Sequence, residues 1–441
     1  MAPGIRAAAL ALTAVASVAS ASRAQQGAPA AAIAIRAGSL VDGTGAAPVR
    51  NAVIVIRGDR VEAVGPGVRI PAGARVIDLS AYTVLPGFID AHVHLASRPL
   101  GAGDFVHRGV TDDEADDALW GAANARATLL AGFTTVRDLG ASSYANVALM
   151  RAIAAGRVPG PRIVAAGHLI GISGGHCDEN GYWAGALGPE HGPREGVANG
   201  PDQVREAVRL QVKYGATVIK ICATGGVLSQ GDEIGAQQMT EDEMRAAVET
   251  ARMLGRRVAA HAHGNEGIKA AIRAGVTSVE HGSFLDDEAV RMMVERGTYL
   301  VPTLFAGWSV ATPEAAAHLP AWMTAKGRSA WEALQRSIRL AVAGGVKIAL
   351  GTDAGVDPHG QNAREFELLV TVGGMTPQQA IQAGTLNAAT LLGMEHDVGS
   401  IEPGKFADFV AVPGDPLADI TRLQHPAFVM KAGEVYLAPS P

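Results

Sequence analysis

Eight short apolar runs alternate with amphipathic helical stretches, and β-rich segments stand at both ends of the chain. This order predicts an α/β protein: a (β/α)8 TIM barrel with a small β-sandwich domain built from both termini. A third observation supports it. Several of the runs end in His or Asp, and a barrel gathers its strand ends at one rim. The expected division is a leader over 1–24, the composite β-sandwich over 32–82 and 395–439, and the barrel over 83–394. The 441 residues, 48% apolar and 18% charged, hold enough core for one large and one smaller domain. A net charge of −6 without a basic stripe excludes nucleic acid as the expected partner.

The leader combines a charged start (Arg6), an apolar stretch (Ala7 to Val18) too short to span a bilayer, and small residues at Ser22-Arg23-Ala24. It predicts export to the periplasm or beyond, with no membrane attachment after cleavage. The short β runs Ala32–Arg36, Ala52–Ile56, Val61–Val64 and Arg75–Leu79 follow, with tight turns at Asp42-Gly43 and Gly58-Asp59. The barrel runs then begin with Phe88 to His94. They continue with Thr134–Asp138, Arg162–Ala166, Thr217–Ile221, Arg257–His261, Ser278–His281, Tyr299–Pro302 and Lys347–Gly351. Helical crossovers are expected at Asp113–Ala131, Tyr144–Ala155, Pro201–Tyr214, Glu241–Leu254, Ile268–Ala274 and Asp286–Arg296. Phe305 to Ala343, with Trp308, Trp322 and Trp331, is longer than a simple crossover and reads as a helical lid or an oligomer contact. Thr376 to Leu392 is helical. Gly399 to Ala411, Phe428–Lys431 and Glu434–Tyr436 return to β character. The two cysteines, Cys177 and Cys222, make no disulfide framework; both follow barrel runs and could lie near each other, but they read first as two small buried apolar residues.

The strand ends carry the chemistry. In a strand, residues two apart share a face, so His92 and His94 form a half-site for a divalent metal. Lys220 ends the fourth run, His261 and His263 the fifth, and His281 the sixth. Asp353 follows the eighth. Five of the chain's 13 histidines fall at these places. An ammonium has no lone pair, so Lys220 either faces away from a metal or carries an added carboxylate.

Pro86-Gly-Phe-Ile-Asp-Ala-His-Val-His94, the Lys220 run, His261, His281 and Gly351-Thr-Asp353 resemble the amidohydrolase superfamily, and its two-metal subgroup with a carboxylated lysine. Thr134 to Asp138, Gly174-Gly-His176, Lys220 to Gly226, His261-Ala-His-Gly264 and His359-Gly360 resemble the branch with Xaa-Pro dipeptidases and ochratoxin-degrading amidohydrolases. The resemblance implies two divalent metal ions, expected to be zinc. His92, His94 and Asp353 would hold one and His261 and His281 the other. Carboxylated Lys220 and a hydroxide would bridge them. It implies Asp353 as the proton-transferring group and His263 as an oxyanion or substrate contact. The expected reaction is hydrolysis of an amide bond in a dipeptide or N-acyl amino acid, prolidase- or carboxypeptidase-like, with ochratoxin A among the substrates.

Substrate-binding candidates are His176 in the glycine-rich loop after the third run, Arg137, and His359. Arg137 reads equally well as the partner of a buried acid. Asn362, Val227, Leu228 and Trp308 are pocket-lining candidates. The partner is a small-molecule amide or dipeptide, and the resemblance implies a homo-oligomer. A same-fold alternative is an imidazolonepropionase-like cyclic amide hydrolase or a deaminase, which would have no use for Lys220. A different alternative is a non-catalytic scaffold on this fold, which would be expected to have lost ligands.

Overall fold

The computed structural model describes residues 32–100, 112–178 and 190–439. The expected leader, Met1 to Ala24, lies outside them. The N-terminal segment folds as β1 (Ile33–Leu40), β2 (Val49–Arg57), β3 (Arg60–Gly65) and β4 (Arg75–Pro86). β5 (Phe88–Val93) starts the alternating part. It is followed by α1 (Glu114–Leu130), β6 (Phe133–Asp138), α2 (Ala145–Ala154), β7 (Arg162–Ala165), α3 (Pro201–Tyr214) and β8 (Ile219–Cys222). Next come α4 (Glu241–Met253), β9 (Val258–Ala262), α5 (Asn265–Ala274), β10 (Ser278–His281), α6 (Asp287–Arg296) and β11 (Tyr299–Val301). The long connection holds α7 (Leu304–Val310), α8 (Pro313–Ala316) and α9 (Ala321–Ala343), as its helical pattern predicts.

The parallel strands form two sheets, β5-β6-β7 and β11-β10-β9-β8. Every residue of β5, β6, β8, β9 and β10 is buried, because helices cover one side and facing strands the other. Backbone hydrogen bonds cross between the sheets on both sides. Thr217 donates to Ala165 at 2.7 Å and Ile170 to Lys220 at 2.9 Å. On the other side Leu300 donates to Lys347 at 2.9 Å and Ala91 to Leu350 at 2.8 Å. The expected eighth strand, Lys347–Gly351, makes a single bridge from Ile348 to Leu300 rather than a regular ladder. Gly351 is packed so tightly that a Cβ there would run into the Val301 side chain and press on the Cβ of His92. Asp353 then takes a left-handed turn at φ +61°. The run is bent to deliver Asp353, and the ladder is lost there.

The terminal segments meet as expected, but as one seven-stranded sheet, ordered β14-β13-β12-β4-β1-β2-β3, with β12 (Phe409–Pro413), β13 (Phe428–Lys431) and β14 (Glu434–Leu437). Its interior joins Ile54 and Val61 near one edge to Phe428 and Met430 near the other, so both ends of the sheet share one core. Phe406 lies between the guanidinium carbons of Arg60 (4.1 Å) and Arg162 (4.3 Å), tying this sheet to the strand β7.

Cys177 and Cys222 are joined as a disulfide with Cα atoms 6.0 Å apart, which corrects the expectation of two independent apolar side chains. The bond fastens the loop after β7 to the end of β8. The two cysteines are 45 positions apart, and their places after barrel strands bring them together. A closed loop of this length restricts the unfolded chain by at most about 4 kcal/mol. Cys177→Ser should therefore lower the urea midpoint, and a reductant should lower the wild type in the same way. A variant as stable as the oxidised wild type would contradict a formed bond.

Candidate metal centre

β5 ends in His92-Val93-His94 with both imidazoles on one side, ring centroids 5.4 Å apart. Asp353 Oδ1 lies 3.3 Å from His92 Nε2 and 3.2 Å from His94 Nε2. Ligand atoms of His261, His263 and His281 form a second group, and within each group the atoms lie within 4.8 Å of one another. The two groups adjoin, with the His92 and His281 rings 5.1 Å apart. Lys220 is 2% exposed, and its Nζ is 3.4 Å from His92 Nε2. The six residues expected to bind metal are thus brought to one rim, and His263 joins them.

Hydrogen bonds fix which nitrogen of each ring is free. His92 Nδ1 faces the Glu280 carboxylate at 2.9 Å, and His94 Nδ1 faces the Gly140 carbonyl at 2.9 Å. Neither acceptor can donate, so both Nδ1 atoms carry protons, and in the neutral rings both Nε2 atoms present lone pairs. His261 does the reverse: Nε2 donates to the Gly225 carbonyl at 3.3 Å, and Nδ1 is free. His281 Nδ1 meets Thr303 Oγ1 at 2.8 Å, and His263 Nδ1 meets Ser283 Oγ at 2.7 Å.

Burial disfavours charge on these rings. It takes His92 down to about 4, with Lys220 adding to the effect and Asp353 and Glu280 opposing it. It takes His263 down to about 3 and holds His261 and His281 well below the usual range. For His94 burial is again the largest influence, but the Asp353 hydrogen bond and charge outweigh it and raise the ring. Burial also works against the Asp353 carboxylate, yet His92 and His94 hold it far below the ordinary value. Imidazoles, all but His94 held neutral by burial, and an anionic carboxylate converging in a buried space are a donor set for divalent cations. His281 (φ +70°) and Asp353 (φ +61°) also hold left-handed backbone that non-glycine residues rarely adopt.

Beside these groups lies a cavity open to solvent, with about 530 Å³ of empty space within it and at its mouth. His176, His261, His263, His281 and Asp353 line its inner end, and Val227, Leu228, Val310, Leu334 and Val356 its apolar wall. His176 is thus at the cavity, as expected, and burial takes its ring down to about 4. Arg137 is elsewhere. Its guanidinium is 2% exposed and donates to the Ala91 carbonyl, Ser278 and Glu280 Oε1, the last at 2.9 Å. It braces the acid behind His92 rather than facing substrate. His359 is also turned away, held between Thr128 and the His94 carbonyl. Asn362 donates to Asp90 at 2.8 Å, and Trp308 packs under Arg364 outside the cavity lining.

Two acids escaped the sequence reading. Glu280 accepts from His92, Arg137 and Ser278. Asp90 accepts from the His92 and Thr352 amides and from Thr352 and Asn362 side chains, and so holds the turn that carries Asp353. Only Asp90, an acid within the apolar start of β5, gave a hint in the sequence that a partner was required; Glu280 sits in a short polar run and gave none. Glu365 does similar work for α7. It accepts from the Leu304 and Phe305 amides at 2.9 and 2.7 Å, and α7 supplies Ala306, Gly307 and Val310 to the cavity.

Glu280→Gln should weaken divalent-metal binding by roughly 10–100-fold in a chelator competition, since the Nδ1 acceptor of His92 loses its charge. Unchanged affinity would show that Glu280 serves Arg137 alone. Burial pushes Glu365 from 4.5 up to about 8, against its two amide hydrogen bonds. Between these values the folded state keeps a proton that the unfolded state has lost. Its stabilising contribution is therefore full below about pH 4.5 and eroded as pH rises through 8. Unfolding free energies measured from pH 5 to 8 should fall less steeply in Glu365→Gln than in the wild type; identical slopes would refute this.

The model of the Amidohydrolase family matches residues 83–436. Ochratoxinase from Aspergillus niger is 34% identical over 437 residues, covering 92% of this chain and 86% of that protein. A crystal structure of a Xaa-Pro dipeptidase with bound methionine in its active site superposes with a TM-score of 0.88 at 40% identity, covering 92% of this chain and 100% of that one. The crystal structure of A. niger ochratoxinase gives a TM-score of 0.81 at 32% identity, covering 94% and 97%. With a TIM-barrel-like α/β fold, a rim of histidines around Asp353 and these relatives, the chain belongs to the amidohydrolase family, hydrolases acting on carbon–nitrogen bonds.

Proposed function

We propose that this chain uses two divalent cations to hydrolyse the amide bond of a dipeptide or N-acyl amino acid, releasing the C-terminal amino acid, with ochratoxin A a candidate substrate. The observation that carries this reading is the meeting of two groups of three ligand atoms beside one cavity, with the Lys220 amine within reach. His92, His94 and Asp353 would hold one cation, His261 and His281 the second, and carboxylated Lys220 both. Zinc suits this imidazole and carboxylate set. Burial takes the Lys220 amine down to about 8, Arg137 adding and Glu280 and Asp353 opposing, so part of it is neutral and able to add carbon dioxide. Two such cations, when bound, lower the pKa of a water towards neutrality and polarise a carbonyl.

The protein groups do the rest. Asp353 takes the water's proton and passes it to the leaving amine. His263 serves the carbonyl oxygen as charge develops, in the tautomer where Nδ1 accepts from Ser283 and Nε2 donates. The apolar wall formed by Val227, Leu228 and Leu334 favours an apolar substrate side chain. Our reading also takes the two parallel sheets as one closed (β/α)8 barrel over 83–394, and the terminal sheet as its composite β domain. The disulfide supports export to the periplasm or beyond, where such bonds persist. A homo-oligomer is part of the same proposal.

Lys220→Ala should lose most activity and bind fewer than two metal ions per chain, measured by metal analysis and a screen of N-acyl amino acids on zinc-loaded protein. Full activity with one tightly bound ion would instead favour the single-metal cyclic amide hydrolase or deaminase reading.

A further inference from the structure

A charged contact holds part of the cavity's apolar wall together. Ala330 and Leu334 reach that wall from α9, and Val227 and Leu228 reach it from the loop after β8. Lys326 stands one turn before Ala330 on the same face of α9, in a series spaced by four. Its Nζ crosses to the loop. There it donates to the carbonyls of Gly226 (3.1 Å) and Ser229 (2.8 Å) and to Asp232 Oδ1 (2.8 Å). An ammonium has three donors, and this loop takes all of them. The two charged side chains are only 17% and 9% exposed, so each depends on the other for its missing hydration.

The loop needs such a contact. Residues 226–232 form neither helix nor strand, so their carbonyls have no ladder to join. Asp232 accepts from Ser229 Oγ, 2.8 Å from each oxygen, and from Gln238 Nε2 at 2.9 Å. These bonds fold the loop on itself, and Lys326 ties the folded loop to α9. The helix is in turn fixed against α7. Gly327 lies so close to it that a Cβ would come within 2.9 Å of the Val310 side chain. The ammonium therefore sets the gap between Val227-Leu228 on one side and Leu334 on the other.

We propose that Lys326 is a specificity-determining positioning residue: its ammonium clasps the Val227-Leu228 loop to α9 and so closes the pocket that takes an apolar substrate side chain. This deepens the amide-hydrolysis reading above and rests on it. Lys326 touches no reacting atom and acts through the two apolar residues that it holds in place. Without the clasp the loop parts from Leu334, and a large side chain loses contacts that a small one never made.

Two measurements on the full-length zinc-loaded protein test the clasp. The first compares kcat and KM for the dipeptides Ala-Ala, Leu-Ala and Ala-Leu, which place the larger side chain on either side of the bond. The wild type should favour one of the leucine peptides over Ala-Ala. Lys326→Met should raise KM for that peptide about tenfold and leave both constants for Ala-Ala within about twofold. Asp232→Asn should shift the preference in the same direction by less. Leu228→Ala should also cut it, and Lys326→Met combined with Leu228→Ala should lose no more than the larger single loss, because both act on one wall. The second measurement titrates the same proteins with L-leucine and L-alanine by calorimetry, since a free amino acid is a product from either side of the bond. The preference for leucine should fall in the same variants. A wild type indifferent to leucine, a Lys326→Met protein with its preference intact, or losses that multiply in the double variant would overturn the proposal. So would a kcat that falls equally for all three peptides, the mark of a merely structural support. If no peptide is cleaved, the amide-hydrolysis reading fails, and the calorimetric ratio still decides the clasp.

Discussion

The molecule is organised around a crowding of hydrogen-bond acceptors, imidazoles that burial largely keeps uncharged and the carboxylate of Asp353. His92 and His94 each spend one nitrogen on Glu280 or a carbonyl and turn the other towards Asp353. Left alone, such a gathering is electrostatically poor; it is sensible around cations. Much of the surrounding framework keeps it in place. Asp90 holds the turn bearing Asp353, Arg137 braces Glu280, and His359 supports the backbone of His94.

That demand explains where regular structure gives way. A continuous eighth strand would carry Asp353 past the rim, so the run from Lys347 makes one bridge and then bends through a left-handed residue. His281 bends in the same sense at the end of β10. Both strains sit beside the cavity, and the tightly packed strands beneath it hold them.

Much of the arrangement was legible in the chain itself. His92, His94, Lys220, His261, His281 and Asp353 follow apolar runs, and the rule that strand ends share a rim is enough to assemble them. What stayed hidden depends on partners distant in sequence. Glu280 and Asp90 are ordinary acids until the fold surrounds them. Arg137 reads equally as a substrate clamp or as an acid's partner in the sequence, and only the fold decides for the buried brace, because its partners come from β10 and the end of β5. For Cys177 and Cys222, positions after two barrel runs suggest nearness, but the bond itself needs the fold to be seen. The terminal sheet was recognisable as β structure from both ends, but its single-sheet order needed the pairing of β4 with β12.

That pairing bears on how the chain is made. Thr83 of β4 lies against Val412, so more than three hundred residues must leave the ribosome before the strand finds its neighbour. Until then one flank of the nascent sheet offers unpaired amides and apolar side chains to any passing strand. The Arg60–Phe406–Arg162 stack cannot close earlier either, since its aromatic member arrives with the same late segment. Biogenesis therefore ends with the tail locking the head, and truncation from the C-terminus strands an otherwise complete catalytic body with an open seam.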